Sequence, residues 1–351
     1  MAASASLMLH LTGRCNLECA HCYMDGGPRR RERLPKDWVL DAIRSAPDLG
    51  IASVFLTGGE PMLYPHLTEV LRVAGGIDDL DVTLSTNATL MNGHVANLLS
   101  MYGIRVHVSI DGPEKFHDDF RGEVGAFQKT EQGLAELRRA GVPFTIVTTV
   151  SQGNLADFQD IARWSIAAGA ERLLVQPLLS LGRGQDIEDQ TLTSPELLRL
   201  IMAVSDLANA GDRPIKTSVI GGSKRFFLAH PCAAYVCNGG GCHRGVSQEI
   251  KKIVVRESGV ILPEATNLDE RYAIGWAGGA PLAEQIKAYF STGYDAFDRL
   301  CRAAYHECVP DWPDPILPWD QILSERSRKP VSQSVDPTAE GGCSRVTVES
   351  F

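Results

Sequence analysis

Three cysteines stand close together near the start of the chain, in the run CNLECAHCY at residues 15–23. Cys15, Cys19 and Cys22 have the spacing C-x3-C-x2-C, and thiolates are soft ligands that favour iron–sulfur clusters or zinc. A structural zinc takes four ligands, and a disulfide framework takes an even number of cysteines. Three thiols in one loop therefore indicate a metal centre with one position open. A zinc site completed by His21 or by a distant cysteine is the alternative.

A second short motif, GGEP at residues 58–61, follows a strand-like segment. Its two glycines let the backbone approach a ligand closely, and Glu60 would place a carboxylate beside an amino or cationic group. The same four residues are also typical of a tight turn held by Pro61. The interpretation of the motif therefore depends on the elements around it.

The first two hundred residues alternate strand-like and helix-like segments. The strand-like segments are LMLHL, ASVFLTGG, DVTLST, RVHVSIDG, PFTIVTTV and RLLVQP, and each is followed by a segment with an apolar face of helical period. This alternation predicts an α/β fold, a partial (βα)6 parallel barrel, over residues 1–211. Polar motifs after the strands would then meet at one edge, where such folds bind ligands. We expect a smaller, irregular α+β domain over 212–323 and a disordered tail over 324–351.

Composition excludes some classes of function. The chain has 351 residues and a formal net charge of -9, which argues against electrostatic binding of nucleic acid. No run approaches the ~20 apolar residues of a membrane span, and the N-terminal residues lack the features of a secretory signal. We therefore expect a cytoplasmic protein without membrane contact, in which the clustered thiols among its nine cysteines are metal ligands rather than disulfides.

In combination, the cysteine run with Tyr23 directly after it and GGEP after the second strand resemble the radical S-adenosylmethionine (SAM) enzyme superfamily. The resemblance covers about residues 5–210. It implies a [4Fe-4S] cluster on Cys15, Cys19 and Cys22, with the open iron chelated by the amino and carboxylate groups of SAM. It also implies reductive cleavage of SAM to a 5′-deoxyadenosyl radical, which abstracts hydrogen from a substrate.

The resemblance extends to residues that would contact SAM. Ser85 and Asn87 would lie near its methionyl or ribose part, and Ser109 and Arg121 near its ribose and carboxylate. The full predicted set is Tyr23, Gly58, Gly59, Glu60, Ser85, Asn87, Ser109, Asp111, Arg121, Gln176 and Leu178, of which Tyr23, Gln176 and Leu178 would face the adenine. From the residues alone, Ser109 would cap a strand end, Arg121 would form a surface salt bridge and Tyr23 would be a core aromatic. We interpret His66, His107 and His117 as ordinary surface or core residues.

The C-terminal cysteines resemble the SPASM or twitch extension of the same superfamily, with departures. Cys232, Cys237 and Cys242, with Cys301 or Cys308 as fourth ligand, would hold one auxiliary iron–sulfur cluster. The dense closing run of cysteines is absent, and Glu264 follows Pro263 where relatives carry Pro-Cys. Two alternatives stay open: buried unligated thiols, and a catalytic thiol at Cys237 or Cys308 that donates a hydrogen atom to a substrate radical.

The run SIDGPEKFHDDFRG at residues 109–122 resembles the peptide-modifying branch. It implies a radical SAM peptide maturase that cross-links or epimerises a ribosomally made precursor peptide. The expected partners are that peptide, a separate leader-binding protein, since the first catalytic strand begins almost at once, and an electron donor such as flavodoxin or ferredoxin. One alternative is a radical SAM enzyme that acts on a small molecule such as a porphyrin-like or quinone precursor. Another is a non-catalytic iron–sulfur or zinc protein.

Overall fold

The computed structural model describes residues 5–209, 215–235 and 250–329. They divide into two compact units. The first unit takes residues 1–9, 34–54 and 221–351, and the second takes residues 10–33 and 55–220. Cys237, Cys242 and most of the predicted tail lie outside the described residues.

The six strands predicted from the sequence occur in that order as β1 to β6, and six further strands follow in the described residues. They are β1 (Ala5–His10), β2 (Ile51–Thr57), β3 (Asp81–Thr86), β4 (Arg105–Ser109), β5 (Phe144–Val150), β6 (Arg172–Pro177), β7 (Lys216–Val219), β8 (Gly222–Ser223), β9 (Lys252–Val255), β10 (Val260–Pro263), β11 (Gly275–Trp276) and β12 (Ile316–Leu317). In the second unit β3, β4, β5, β6 and β7 lie side by side, and every neighbouring pair is parallel. The α/β class with a parallel sheet is therefore confirmed.

The helices alternate with these strands. They are α1 (Lys36–Ser45), α2 (Leu67–Ala74), α3 (Gly93–Met101), α4 (Glu114–Arg121), α5 (Ala126–Arg139), α6 (Phe158–Ala167), α7 (Ser194–Ala208), α8 (Lys224–Ala229), α9 (Leu282–Thr292), α10 (Tyr294–Cys308) and α11 (Trp319–Ser327). Local chemistry sets their ends. The Asn92 side chain accepts a hydrogen bond from the Val95 N–H at the start of α3, and Thr193 and Glu196 form a capping box on α7. Crossover helices of this kind are what parallel strands require.

Side chains of the parallel strands alternate between two faces. One face is wholly buried, and its members include Val106, Val108, Ile146, Leu173 and Val175. The alternate positions on the neighbouring strands are half-buried: Ser85, His107, Ser109, Thr145, Val147, Thr149, Arg172, Leu174 and Gln176. We call this second set the inner face. Because parallel sheets are normally buried on both faces, a half-buried polar face marks a surface available for binding.

Four strands of the first unit pair with one another. β1 pairs parallel with β9, and β9, β10 and β11 follow as antiparallel neighbours. The Trp38 indole N–H donates to the Ala280 carbonyl at 3.2 Å. Helix α11 continues past residue 323 to Ser327 with Ser324 and Ser327 buried, so the first residues that the sequence assigned to the tail are helical.

None of the helices in the described ranges is long and apolar enough to span a membrane.

Candidate active site around the cysteine loop

The loop after β1 and the GGEP loop after β2 are joined through their backbones. The Gly59 N–H donates to the Thr12 carbonyl at 2.6 Å, and the Glu60 N–H donates to the Arg14 carbonyl at 2.9 Å. Gly58 has a φ of +138°, and a Cβ on Gly59 would stand 2.4 Å from the Arg14 oxygen. The two glycines are therefore required by this close approach, which fixes the chain as it enters the cysteine loop.

Glu60 lies fully buried and ties the GGEP loop to the end of β3. Its Oε1 accepts from the Met62 N–H at 3.0 Å and from the Thr86 hydroxyl at 2.7 Å. Its Oε2 accepts from the Asn87 N–H at 2.9 Å. Burial raises the pKa of Glu60, and these three hydrogen bonds oppose the rise. The carboxylate therefore has a positioning role within the protein, in addition to the predicted contact with SAM.

The three thiols of the cysteine loop gather in one buried cluster. Cys15 and Cys19 pack with Leu17 and Ala126, and the half-buried Cys22 packs against them. Burial raises the pKa of Cys15 to about 12, helped by the charge of Glu60, and raises that of Cys19 to about 11. Without a metal these thiols are therefore protonated, whereas a bound metal would take them as thiolates.

Hydrogen-bond donors lie near two of the sulfur atoms. The Leu17 N–H lies 3.4 Å from the Cys15 Sγ, and the Asn87 Nδ2 lies 3.9 Å from the same atom. The Arg121 Nη1 lies 4.0 Å from the Cys19 Sγ. Donors near cluster sulfurs are one of the means by which proteins tune iron–sulfur centres. Three buried thiols with donors around them fit the metal cluster that the sequence predicts.

A buried ion pair lies directly beside the cysteine loop. The Nε and Nη2 atoms of Arg121 both approach Asp111 Oδ2 at 2.7 Å, with side-chain exposures of 8% and 0%. Asp111 Oδ1 accepts from the Thr149 N–H at 2.9 Å. Burial alone would raise the pKa of Asp111, but the charge of Arg121, together with the neighbouring histidines and the Thr149 N–H, outweighs it and the pKa is lowered. The predicted surface salt bridge is therefore wrong for Arg121, because its partner is wholly buried.

Two histidines lie against this ion pair: His21, which the sequence suggested only as a zinc ligand, and His117, which we interpreted as an ordinary surface or core residue. His21 stacks on Phe120 with ring centroids 4.1 Å apart, and its Nε2 lies 3.8 Å from Asp111 Oδ2. His117 is buried and its Nδ1 accepts from the Asp111 N–H at 3.2 Å. Burial lowers the pKa of each histidine to about 4, so both are neutral near pH 7. No spacing motif marks His117, which is at the site because α4 turns it inward.

Arg183, in the 3-10 segment Gly182–Gln190 after β6, is a second residue that sequence reasoning missed. Its Nε donates to the Cys19 carbonyl and its Nη2 to the Gly26 carbonyl, both at 2.9 Å, while its own N–H donates to the Cys22 carbonyl. An arginine that binds only backbone carbonyls leaves no local signal in the sequence. Its hydrogen bonds hold the later part of the cysteine loop, whereas the GGEP backbone holds the start of that loop.

The other predicted contacts divide into two groups. Ser85, Ser109 and Gln176 lie on the inner face, and no partner for their side chains occurs among the described residues. Leu178 is buried, and its N–H donates to the Val150 carbonyl at 2.8 Å. The Tyr23 hydroxyl lies 3.5 Å from His10 Nε2. The SAM contacts of all five stay predictions.

The C-terminal cysteines that the structure describes, Cys232, Cys301 and Cys308, belong to the first unit. Cys301 is fully buried, and burial with the nearby charge of Glu264 raises its pKa. Cys308 is half-buried on the same helix, seven residues later, which places the two about 10 Å apart. Glu264, at the position of the expected cysteine, accepts a hydrogen bond from the Tyr235 hydroxyl. An auxiliary cluster that uses Cys232 with Cys301 or Cys308 stays a prediction.

Comparison with known proteins finds a family match in the N-terminal part of the chain. Residues 9–165 match the model of the radical SAM superfamily. An AdoMet-dependent heme synthase of Oleidesulfovibrio alaskensis is 35% identical over 189 residues, which are 53% of this chain and 48% of that protein. The sporulation killing factor maturation protein SkfB of Bacillus subtilis is 31% identical over 183 residues, 52% of this chain and 44% of that protein. The chain thus spans about half the length of these curated relatives.

The fold is also found among solved structures. Streptococcus suis SuiB bound to S-adenosylmethionine superposes with a TM-score of 0.66 at 18% identity, over 84% of this chain and 68% of that chain. SuiB has also been solved with its precursor peptide SuiA. At this identity the likeness shows the fold alone. It confirms the partial-barrel class, and the family is one whose cofactors are SAM and a [4Fe-4S] cluster, as the sequence predicts.

Proposed function

We propose that the chain, which matches the radical SAM model over residues 9–165, is a radical SAM enzyme that cleaves SAM reductively and uses the radical to modify a ribosomally made precursor peptide. The modification would be a cross-link or an epimerisation. The cysteine loop is the observation that carries this proposal. Three thiols from eight successive residues gather in one buried cluster, and three separate parts of the chain fix their loop.

The arrangement of the thiols supports a cluster over the zinc alternative. A zinc ion bound to thiolates at about 2.3 Å would draw their sulfur atoms to within about 4 Å of one another. Within residues 5–209, 215–235 and 250–329, no three His, Cys, Asp or Glu side chains converge in this way on a single ion. A cluster spreads its ligands over several metal atoms, so three thiols of one loop can bind it while lying farther apart.

When bound, the two cofactors supply a one-electron reduction of the sulfonium and a carbon radical that abstracts hydrogen. The chain supplies position and charge. Cys15, Cys19 and Cys22 would hold the cluster, and the Arg121 guanidinium places positive charge beside the Cys19 sulfur. The GGEP backbone would face the cofactor. The conformation of Gly58 and the hydrogen bond that Glu60 accepts hold this loop in place. Electron delivery by a flavodoxin or ferredoxin is part of the proposal.

The peptide substrate rests on the peptide-modifying relatives and on the inner face. SkfB is named for maturation of a killing factor, and SuiB binds a precursor peptide. The inner face presents half-buried polar positions along three neighbouring strands, a surface long enough for an extended peptide. A second candidate is a tetrapyrrole substrate, because relatives at 33–36% identity are named AdoMet-dependent heme synthases.

The first test is cofactor chemistry. Protein purified and reconstituted without oxygen should bind about four iron atoms per cluster. With dithionite and SAM it should yield 5′-deoxyadenosine, measured by mass spectrometry. Cys19→Ala should lose both the iron and the product. Cys343→Ser is the matched control, and it should keep both the iron and the product. Retained turnover in Cys19→Ala would contradict the cluster assignment.

The second test separates the two substrate classes. A short peptide encoded beside the gene and an iron porphyrin with free carboxylates are each added to the reconstituted enzyme. The proposal expects faster 5′-deoxyadenosine formation and a change in peptide mass with the peptide alone. Stimulation by the porphyrin alone, with decarboxylated product, would establish the second candidate and refute the first.

A further inference from the structure

A row of basic side chains crosses the inner face at the edge farther from the cysteine loop. Strand register places His107 beside Thr145, Thr145 beside Arg172, and Arg172 beside Lys216. Register partners on parallel strands point to the same face, and neighbouring strands lie about 4.8 Å apart. Arg105 stands two residues before His107 and therefore shares its face. Four nitrogen-bearing side chains thus lie together on one surface.

The charge of this row is not balanced within the described residues. Arg105 is paired with Asp81, but no acidic partner for Arg172 or Lys216 occurs there. Three cations against one carboxylate leave two positive charges, on a chain whose formal net charge is -9. His107 adds no charge, because burial and then the nearby Arg105 and Arg172 lower its pKa to about 4. It is a neutral hydrogen-bonding group between the cations.

The row lies within reach of the cofactor edge. Arg172 is the first residue of β6, and Gln176 on the same inner face is four residues later, about 13 Å along the strand. An extended peptide advances about 3.3–3.6 Å per residue. A peptide whose acidic side chain contacts Arg172 would therefore bring the residue about four positions away to the edge where the cysteine loop lies.

We propose that the inner face binds the peptide substrate, and that Arg172 and Lys216 seat an acidic side chain about four residues from the residue that is modified. This inference rests on the proposed peptide substrate. Arginine and lysine together bind a carboxylate through charge-assisted hydrogen bonds. The half-buried position of Arg172 limits screening by salt, so its contribution exceeds that of an exposed surface pair.

The test compares two probes of equal length, fluorescein-labelled decaglutamate and decaglutamine, by fluorescence anisotropy with the reconstituted enzyme at low salt. Decaglutamate should bind and decaglutamine should not. The double variant Arg172→Gln/Lys216→Gln should weaken decaglutamate binding at least about tenfold, equivalent to about 1.4 kcal/mol. Arg139→Gln/Arg163→Gln is the matched control: it removes the same charge from exposed helix positions and should change binding less than about twofold.

The possible outcomes distinguish a failure of this inference from a failure of the proposed function. The Arg172 and Lys216 variant should still form 5′-deoxyadenosine from SAM without substrate, because neither residue contacts the cysteine loop. Equal binding of both probes, equal loss in the control variant, or no binding below 1 mM (roughly the weak limit of specific recognition) would overturn the inference while 5′-deoxyadenosine formation persists. Binding of coproporphyrin III but not of decaglutamate would assign the row to a small tetracarboxylate instead.

Discussion

Removal of Arg121 from its buried ion pair is expected to destabilise the second unit strongly. Both guanidinium nitrogens that approach Asp111 do so at 2.7 Å, and the Asp111 side chain has no solvent exposure. In Arg121→Met the carboxylate would keep the Thr149 N–H as a donor but lose two charged hydrogen bonds, each worth about 1.5–3 kcal/mol. Breaking one partner of a buried pair typically costs about 3–5 kcal/mol. We expect a loss in that range.

The assay is urea unfolding of the apoprotein, with hydrogen exchange of the Thr149 amide as a local reporter. Asp111→Ala should cost a similar amount because it leaves Arg121 unpaired. The double variant Asp111→Ala/Arg121→Met should lose less than the sum of the single losses by about 2–3 kcal/mol. The exposed pair Arg163 and Asp160 is the control, and its removal should cost less than about 1 kcal/mol.

The stability that the ion pair contributes should depend on pH in a definite direction. The lowered pKa of Asp111 means that the ion pair stabilises the folded state fully above the unfolded pKa of about 4, and that this stabilisation is lost as the pH falls through the lower folded value. The difference between wild type and Arg121→Met should therefore shrink in acid. A loss below 1 kcal/mol (about the value of an exposed pair), or a difference that grows in acid, would refute the reasoning.

Three further substitutions test how the cysteine loop is held. Gly59→Ala should disrupt iron binding, because its Cβ would stand 2.4 Å from a backbone oxygen, whereas Gly27→Ala in the same loop meets only a side chain at 3.5 Å and should bind iron normally. Glu60→Gln should cost about 1–3 kcal/mol in urea unfolding, because its amide would face the Asn87 N–H, and an unchanged midpoint would contradict the role given to Glu60. Arg183→Gln should speed iron loss to a chelator with little change in global stability, since it removes two hydrogen bonds to loop carbonyls; a chelation rate equal to wild type would show that the loop is held without it.

Sequence patterning predicted the elements of the second unit well and the contacts between them poorly. The segments DVTLST and RLLVQP become β3 and β6 with the same bounds, because the sequence pattern that predicts a strand lies in adjacent residues. The helix α4 was missed, since its residues 114–121 are mostly polar and carry few apolar positions. Its last turn brings Phe120 and Arg121 to the cysteine loop; the family resemblance placed Arg121 at the site, but nothing in the sequence placed Phe120 there.

The candidate site shows the same division between local and non-local information. Motif spacing correctly predicted that Cys15, Cys19 and Cys22 share one buried cluster, because they belong to one short loop. It could not predict that Asp111 forms an ion pair with Arg121, since the two are ten residues apart and meet only when a strand end and a helix are packed together. Arg183 is more distant still, and its partners are backbone carbonyls that every residue carries.

The pairing of Arg121 with Asp111 also limits how Arg121 can act on a cofactor carboxylate. Its Nε and Nη2 atoms both already bind one carboxylate oxygen of Asp111, and its Nη1 lies near the Cys19 sulfur. A second carboxylate could therefore reach the guanidinium only through the remaining N–H groups of Nη1 and Nη2. The positive charge beside the sulfur persists in either case, because Asp111 holds the guanidinium in place. Arg121 thus acts on the cysteine loop through a position that the protein itself fixes, before any ligand binds.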